Sequence, residues 1–216
     1  MTRKSLVRWT LAFAILNFSM VSAVMFARPD IDRRAKAHKI YRQGRALERE
    51  HDFNAALKKY EKIVSDYPET LDAPKAGFRA AEIYKRRFYD IENAKKMLER
   101  VVEFRGSEYA EKAADDLAFM REHWGKTGKA LKLWYKASGA YRRGDYEQSA
   151  KVLLELIEKY KHSSLRPLAM YYAGKALRKN MSYTGAEATL RDLIREYPNN
   201  PYARRAERLL KKWGAS

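Results

Sequence analysis

A four-residue element recurs along this chain at spacings that few folds can accommodate. It stands as Tyr67-Pro68-Glu69-Thr70, Phe104-Arg105-Gly106-Ser107, Tyr160-Lys161-His162-Ser163 and Tyr197-Pro198-Asn199-Asn200. In every copy an alanine follows nine residues after the aromatic, at Ala76, Ala113, Ala169 and Ala206. The aromatics are 37, 56 and 37 residues apart, so copies one and three, and copies two and four, are each separated by 93. A fixed period in this range is the signature of stacked supersecondary units, each burying its apolar face only against its neighbours.

The residues between the elements have helical periodicity. In the first unit Ile40, Tyr41, Gly44 and Leu47 lead to Asp52-Phe53, then to Ala56, Tyr60, Ile63 and Pro68. The second unit runs from Ala73 through Ala80-Ala81, Ile83-Tyr84, Ala94, Met97 and Val101 to Phe104, with about one extra residue near Phe88-Tyr89. A single helix over roughly 107–124 then lacks a partner, and Gly125-Lys126-Thr127-Gly128 breaks the pattern. After the break Trp134, Ala137, Gly144-Asp145-Tyr146 and Leu153 mirror the first unit, and Ala169, Ala173-Gly174, Ala186 and Leu190 mirror the second. Residues 201–213 close the chain as another single helix. The spacing predicts two blocks, 31–124 and 126–213, each of two helix pairs and one solitary helix, about ten helices in all.

Aligned on its alanine and proline, the first unit is similar to the tetratricopeptide repeat. That family has small residues at its eighth and twentieth positions and a proline near its thirty-second, and Gly44, Ala56 and Pro68 fall on these. The resemblance implies an all-α, right-handed solenoid of helical hairpins. The element of an aromatic, Pro, any residue and Ser, Thr or Asn, then a small residue six on and an alanine nine on, resembles the repeats of bacterial envelope proteins. Examples are the outer-membrane barrel-assembly lipoprotein and the Tol-Pal-associated periplasmic division factor. The barrel-assembly protein is anchored through a lipidated cysteine. This chain has no cysteine, so that anchorage does not carry over.

An apolar stretch at the start could replace it. Trp9 to Ala27 is free of charge for 19 residues and follows Arg3, Lys4 and Arg8. That length reaches the lower edge of what spans a bilayer, about 20 residues. It is expected to be an N-terminal apolar helix within segment 1–30, a signal-anchor with the repeats facing the periplasm. The alternative is a signal peptide cut after Ala23, since Val21-Ser22-Ala23 is made of small residues. Orientation rests on the cations ahead of the run, although Arg28, Arg33, Arg34 and Lys36 follow it closely.

Nothing in the sequence argues for an enzyme. Gly125-Lys126-Thr127 looks like the end of a phosphate-binding loop, but Met120 stands where such a loop needs its first glycine. His38, His51, His123 and His162 share no metal-ligand spacing and read as surface histidines. No cofactor, metal or small-molecule substrate is expected.

Charge is more informative. The chain carries a net +18. First helices of the pairs, 31–50, 70–88, 126–143 and 163–179, carry +4, +3, +6 and +4, while the second helices carry 0 or −1. The closing helix carries +4 and the middle solitary helix −3. In tetratricopeptide repeats the first helices line the ligand face. The resemblance and the charge together imply a basic groove with Lys132, Lys136, Arg142, Lys175 and Arg178 on its wall, recognising an acidic segment of another protein. A plainer reading has the same side chains covering apolar core with their stems. The alternative function is a binder of an anionic polymer or surface: nucleic acid, acidic glycan or lipid headgroups. The aromatics fall at packing positions rather than in a basic-aromatic stripe, which reads against nucleic acid. Glu108, Glu111, Asp115 and Asp116 of the acidic middle helix are expected to meet the +6 helix that follows.

Overall fold

The four recurring elements adopt one turn. In each, the backbone N–H of the fourth residue donates to the aromatic carbonyl: Thr70 to Tyr67 at 3.1 Å, Ser107 to Phe104 at 3.2 Å, Ser163 to Tyr160 and Asn200 to Tyr197, both at 2.9 Å. The fourth residue then opens the next helix. Ser107, Ser163 and Asn200 accept the N–H two residues on, at 3.2, 3.2 and 2.9 Å. For Ser107 and Asn200 that satisfies one of the donors a helix leaves free at its start. Thr70 instead donates from its hydroxyl back to the Tyr67 carbonyl at 2.8 Å. The alanine nine residues on is fully buried in all four copies. The sixth position holds buried Ala73, Ala110 and Ala203 but also Arg166, which donates to the Ile157 carbonyl.

The computed structural model describes residues 31–214, and every regular element among them is helical. The helices are α1 (31–49), α2 (Phe53–Asp66), α3 (Asp72–Ile83), α4 (Ile91–Val102), α5 (Glu108–His123), α6 (Lys129–Arg142), α7 (Tyr146–Lys159), α8 (Arg166–Lys179), α9 (Tyr183–Glu196) and α10 (Pro201–Trp213). The expected count of about ten is met among the described residues. The apolar run at 9–27 lies outside them. No helix among the described residues is long and apolar enough to cross a membrane. The 93-residue offset is kept to the residue in one pair, since the bounds of α2 plus 93 are those of α7.

Within each hairpin the turn is of a second kind, with one left-handed residue before the cap of the second helix. His51, Tyr89, Gly144 and Met181 have φ of 64°, 52°, 82° and 60°. Asp52, Asp90 and Asp145 follow three of these and cap α2, α4 and α7 by accepting the N–H three residues on. Only Gly144 is the residue type that adopts this conformation without strain.

The chain divides into two compact units, one to Gly77 and one from Phe78. In the first, α1 and α2 close on Tyr60, which is fully buried. A Cβ at Gly44 would lie 2.7 Å from Tyr60 Cε1, so only glycine lets the two helices approach this closely over that ring. In the second unit α6 packs on α7, α7 on α8, α8 on α9, and α10 on both α9 and α8. Gly174 of α8 repeats the close approach, with Leu190 of α9 in the place of the ring. Met170, Leu190, Leu193, Ala206 and Leu210 form a buried cluster that α10 covers.

The extra residue near Phe88-Tyr89 has a structural counterpart. Tyr84–Phe88 forms one wide π-type turn before left-handed Tyr89. Such a turn absorbs a single inserted residue without breaking the helix.

Candidate partner-binding cleft

The π-type turn sets two cations on different surroundings. Lys85 is 2% exposed, with Nζ 2.5 Å from Glu82 Oε1 and in contact with Asp116 Oδ2. Two carboxylates offset its charge, as a buried ammonium requires. The next residue, Arg86, is exposed, with Nε 2.6 Å from Glu82 Oε2. Its guanidinium lines a cleft of about 290 Å³ walled by Trp134, Tyr135, Ser138, Tyr141 and Arg142 of α6, Ser149 and Leu153 of α7, and Tyr172 of α8.

The walls are rings packed edge to face. Trp134 and Tyr172 have centroids 5.4 Å apart at 74°, and Tyr141 and Tyr172 are 6.1 Å apart at 90°. Lys175 Nζ lies 5.0 Å from the Tyr172 centroid and 5.8 Å from that of Tyr141, so a cation braces two of the walls.

Two electrostatic features mark the cleft. Burial, then the like charge of Arg86, pulls the Arg142 guanidinium below its usual value; Glu82 opposes this, and Arg143 and Arg87 add to the repulsion. Among the described residues no carboxylate forms a salt bridge with Arg142. At the floor, burial, then the carboxylates of Asp116 and Glu82, push the Tyr135 hydroxyl up. Arg86, paired with Glu82, and Arg142 thus stand at the exposed mouth, while Lys85 Nζ lies 5.7 Å from the Tyr135 centroid. Tyr135 Oη and Ser149 Oγ are both buried at the floor, and among the described residues neither has a hydrogen-bond partner.

The five cations singled out in the sequence do not share one cavity. Arg142 lines the cleft, and Lys175 braces its walls. Lys132 lines a separate recess with Phe88, Tyr89, Asp90, Trp124 and Lys129. Lys136 is exposed on α6 and lines neither. Arg178 lies over the rings of Tyr183 and Trp213, at 4.5 and 4.9 Å. Arg86 and the buried hydroxyls were not singled out, since a cation on a helix end and a serine in a helix have no sequence signature of their own.

Two expectations from the sequence are corrected. His123 is not a surface residue: it is 9% exposed at the end of α5, with Nδ1 2.8 Å from Ser164 Oγ. The last turn of α5 faces inward against α8's entry, and Phe119 meets the ring at 4.5 Å. The acidic helix α5 does meet α6, where the Phe119 and Tyr135 centroids are 6.5 Å apart, but its Asp116 goes to Lys85 rather than to a cation of α6, and Glu108 pairs with Lys112 one turn along. No cluster of three or more His, Asp or Glu among the described residues could hold a metal ion.

Two tetratricopeptide-repeat family models match the chain, over residues 40–70 and 136–201, so repeats of this kind are present at both places. The second match contains α7, α8 and α9 entire. Such repeats generally mediate protein–protein interaction, and their fold is typically a non-catalytic scaffold. No curated protein matches the chain. Among solved structures, a Podosopora anserina protein described as a putative kinesin light chain with nearly identical TPR-like repeats is similar at 14% identity, covering 84% of this chain and 88% of that one, with a TM-score of 0.38. A single-residue variant of that protein gives the same identity and coverage and a TM-score of 0.39. Likeness at that level carries no functional inference.

Proposed function

We propose that the protein is a non-enzymatic scaffold that holds an acidic segment of another protein, with the cleft between Arg86 and Arg142 at the centre of the contact. The observation that carries this reading is the convergence of the two guanidinium groups on one cleft, where their repulsion already weighs on Arg142. A carboxylate placed between them relieves that repulsion and forms charge-assisted hydrogen bonds of its own. The surrounding positive charge speeds encounter with an acidic segment. The chain is read as a cell-envelope protein anchored through residues 9–27 and facing the periplasm, from its resemblance to envelope repeats and its apolar run; release into the periplasm after cleavage is the alternative. A topology reporter after Ser216 tests this, and a cytoplasmic carboxyl terminus would sink it.

The second reading, a binder of nucleic acid, acidic glycan or lipid headgroups, draws on the net +18. The rings of the cleft pack on one another rather than standing free as a stacking platform, which favours the peptide reading. Fluorescence anisotropy with a glutamate-rich peptide and a random-sequence single-stranded DNA separates the two. Arg86→Glu with Arg142→Glu is expected to lower peptide affinity about tenfold or more at physiological salt. If the DNA binds more tightly than the peptide, with the steeper salt dependence, the scaffold reading fails.

A further inference from the structure

The 93-residue offset aligns the sequence of the α1–α2 hairpin with that of the α6–α7 hairpin, and the two fill the same place differently. In the first, Tyr60 of α2 is fully buried beneath Gly44, its ring centroid 5.8 Å from that of Tyr41 and its hydroxyl donating to Glu48 at 2.9 Å. In the second, Tyr60 becomes Leu153, Gly44 becomes Ala137, Tyr41 becomes Trp134 and Glu48 becomes Tyr141. Leucine has no phenol ring, and the groups about it differ too, an indole standing at Trp134 and a second phenol at Tyr141. Leu153, Trp134 and Tyr141 are three of the residues that line the cleft.

The offset also sets Ser149 against Ala56, the small residue that packing requires at this position. Alanine meets that requirement, so the serine hydroxyl is surplus to packing. It is fully buried and has no partner among the described residues, and Tyr135 Oη shares its situation. Buried hydroxyls of this kind are uncommon and call for a partner group.

Three constraints select that group. The walls are aromatic, which suits a ring entering edge to face. The volume, about 290 Å³, lies at the lower bound for small-molecule pockets and suits one side chain. Tyr135 Oη and Ser149 Oγ, neutral and buried, suit a hydroxyl inside, whereas Arg86 and Arg142 at the exposed mouth favour a carboxylate. A quaternary or lysine cation, the usual guest of aromatic cages, is repelled by the same arginines.

We propose that the cleft receives a single tyrosine side chain from the acidic partner segment, its ring among Trp134, Tyr141 and Tyr172 and its hydroxyl on Ser149 Oγ and Tyr135 Oη, with flanking carboxylates on Arg86 and Arg142. This rests on the acidic-segment reading and adds the anchor residue to it. The guest restores in the second hairpin the buried, hydrogen-bonded phenol that Tyr60 supplies in the first.

The test uses the full chain in detergent and acidic peptides whose glutamates flank a central tyrosine, phenylalanine, alanine or glutamate. The tyrosine peptide is expected to bind about tenfold tighter than the phenylalanine peptide and on the order of a hundredfold tighter than the alanine peptide. Ser149→Ala, which copies the first hairpin, narrows the difference between tyrosine and phenylalanine. Leu153→Tyr with Ala137→Gly rebuilds the first hairpin's filling, plugs the cleft and makes the tyrosine and alanine peptides equal. Circular dichroism verifies that each variant is folded; the peptide series alone decides the matter if the double variant is not. Equal binding of tyrosine and alanine peptides by the natural chain, or tighter binding of the glutamate peptide, overturns the anchor and leaves the acidic-segment reading standing. No binding of any of the peptides at low salt overturns both.

Discussion

Gly174 and Leu190 offer a direct measure of how far close helix approach, rather than turn chemistry, fixes the repeat. A Cβ at Gly174 would lie 2.6 Å from both Cγ and Cδ2 of Leu190 and 3.3 Å from the Ala186 carbonyl oxygen. Carbon atoms in contact prefer about 3.5–4.0 Å, so the overlap is on the order of 1 Å. Leu190 Cγ sits one bond beyond Cβ and cannot swing clear, and the Ala186 backbone blocks retreat along α9. Overpacking of this kind costs about 1–3 kcal/mol. Replacing glycine by alanine within a helix returns about 1 kcal/mol, so Gly174→Ala should destabilise by about 1 kcal/mol net. Leu190 is fully buried, and Leu190→Ala alone should cost about 2–5 kcal/mol. With the leucine gone, the clash is gone, and Gly174→Ala should then stabilise by about 1 kcal/mol. The cycle predicts a coupling of about 1–3 kcal/mol, read from urea midpoints at constant m by far-UV circular dichroism. A Gly174→Ala variant that is equally stabilising in both backgrounds would refute the close-approach account.

The left-handed turns give a second prediction. Met181 is 77% exposed with φ of 60°, so Met181→Gly loses no packing and should raise stability by about 0.5–1 kcal/mol, seen as a higher thermal midpoint. Gly144→Ala, at φ of 82°, should lower it by a similar amount. The third concerns pH. Burial depresses the His123 pKa, with Glu122 opposing, so the unfolded chain binds the proton more readily. Its contribution to stability is therefore full above the unfolded value, about 6.5, and is lost as pH falls toward the folded value. Urea midpoints between neutral and mildly acidic pH should fall more steeply for the natural chain than for His123→Gln, and equal slopes would contradict this.

Much of the fold was legible because repeat packing leaves periodic marks. The four alanines nine residues past each aromatic are all fully buried, and the four turns share one hydrogen bond. Boundaries fell within a few residues, since Pro, Gly, Ser and Asp sit where helices must stop or start. His123 was misread because nothing local distinguishes the inward face at the end of α5; its burial depends on Ser164, 41 residues away. Asp116 was assigned the wrong partner for a similar reason. The +6 of segment 126–143 outweighs one lysine in any charge count, but Lys85 is the cation that burial forces to find a carboxylate.

The cleft itself lies where the α6–α7 hairpin departs from the packing that the α1–α2 hairpin makes explicit. Gly44 with Tyr60 is one solution for closing α1 on α2, and Gly174 with Leu190 is another for α8 on α9. Both set a side chain against a missing Cβ. Ala137 with Leu153 is neither. It combines the larger residue on the first helix with the smaller on the second, and Leu153 lines a cleft together with Trp134 and Tyr172. The inserted residue of the preceding hairpin then matters. The π-type turn it produces buries Lys85 between two carboxylates and holds adjacent Arg86 at the mouth of that opening. The second of these does not stabilise the fold on its own account, since it keeps a charge in the interior. Two local departures that converge on one cleft are better explained by what the cleft binds than by what holds the helices together.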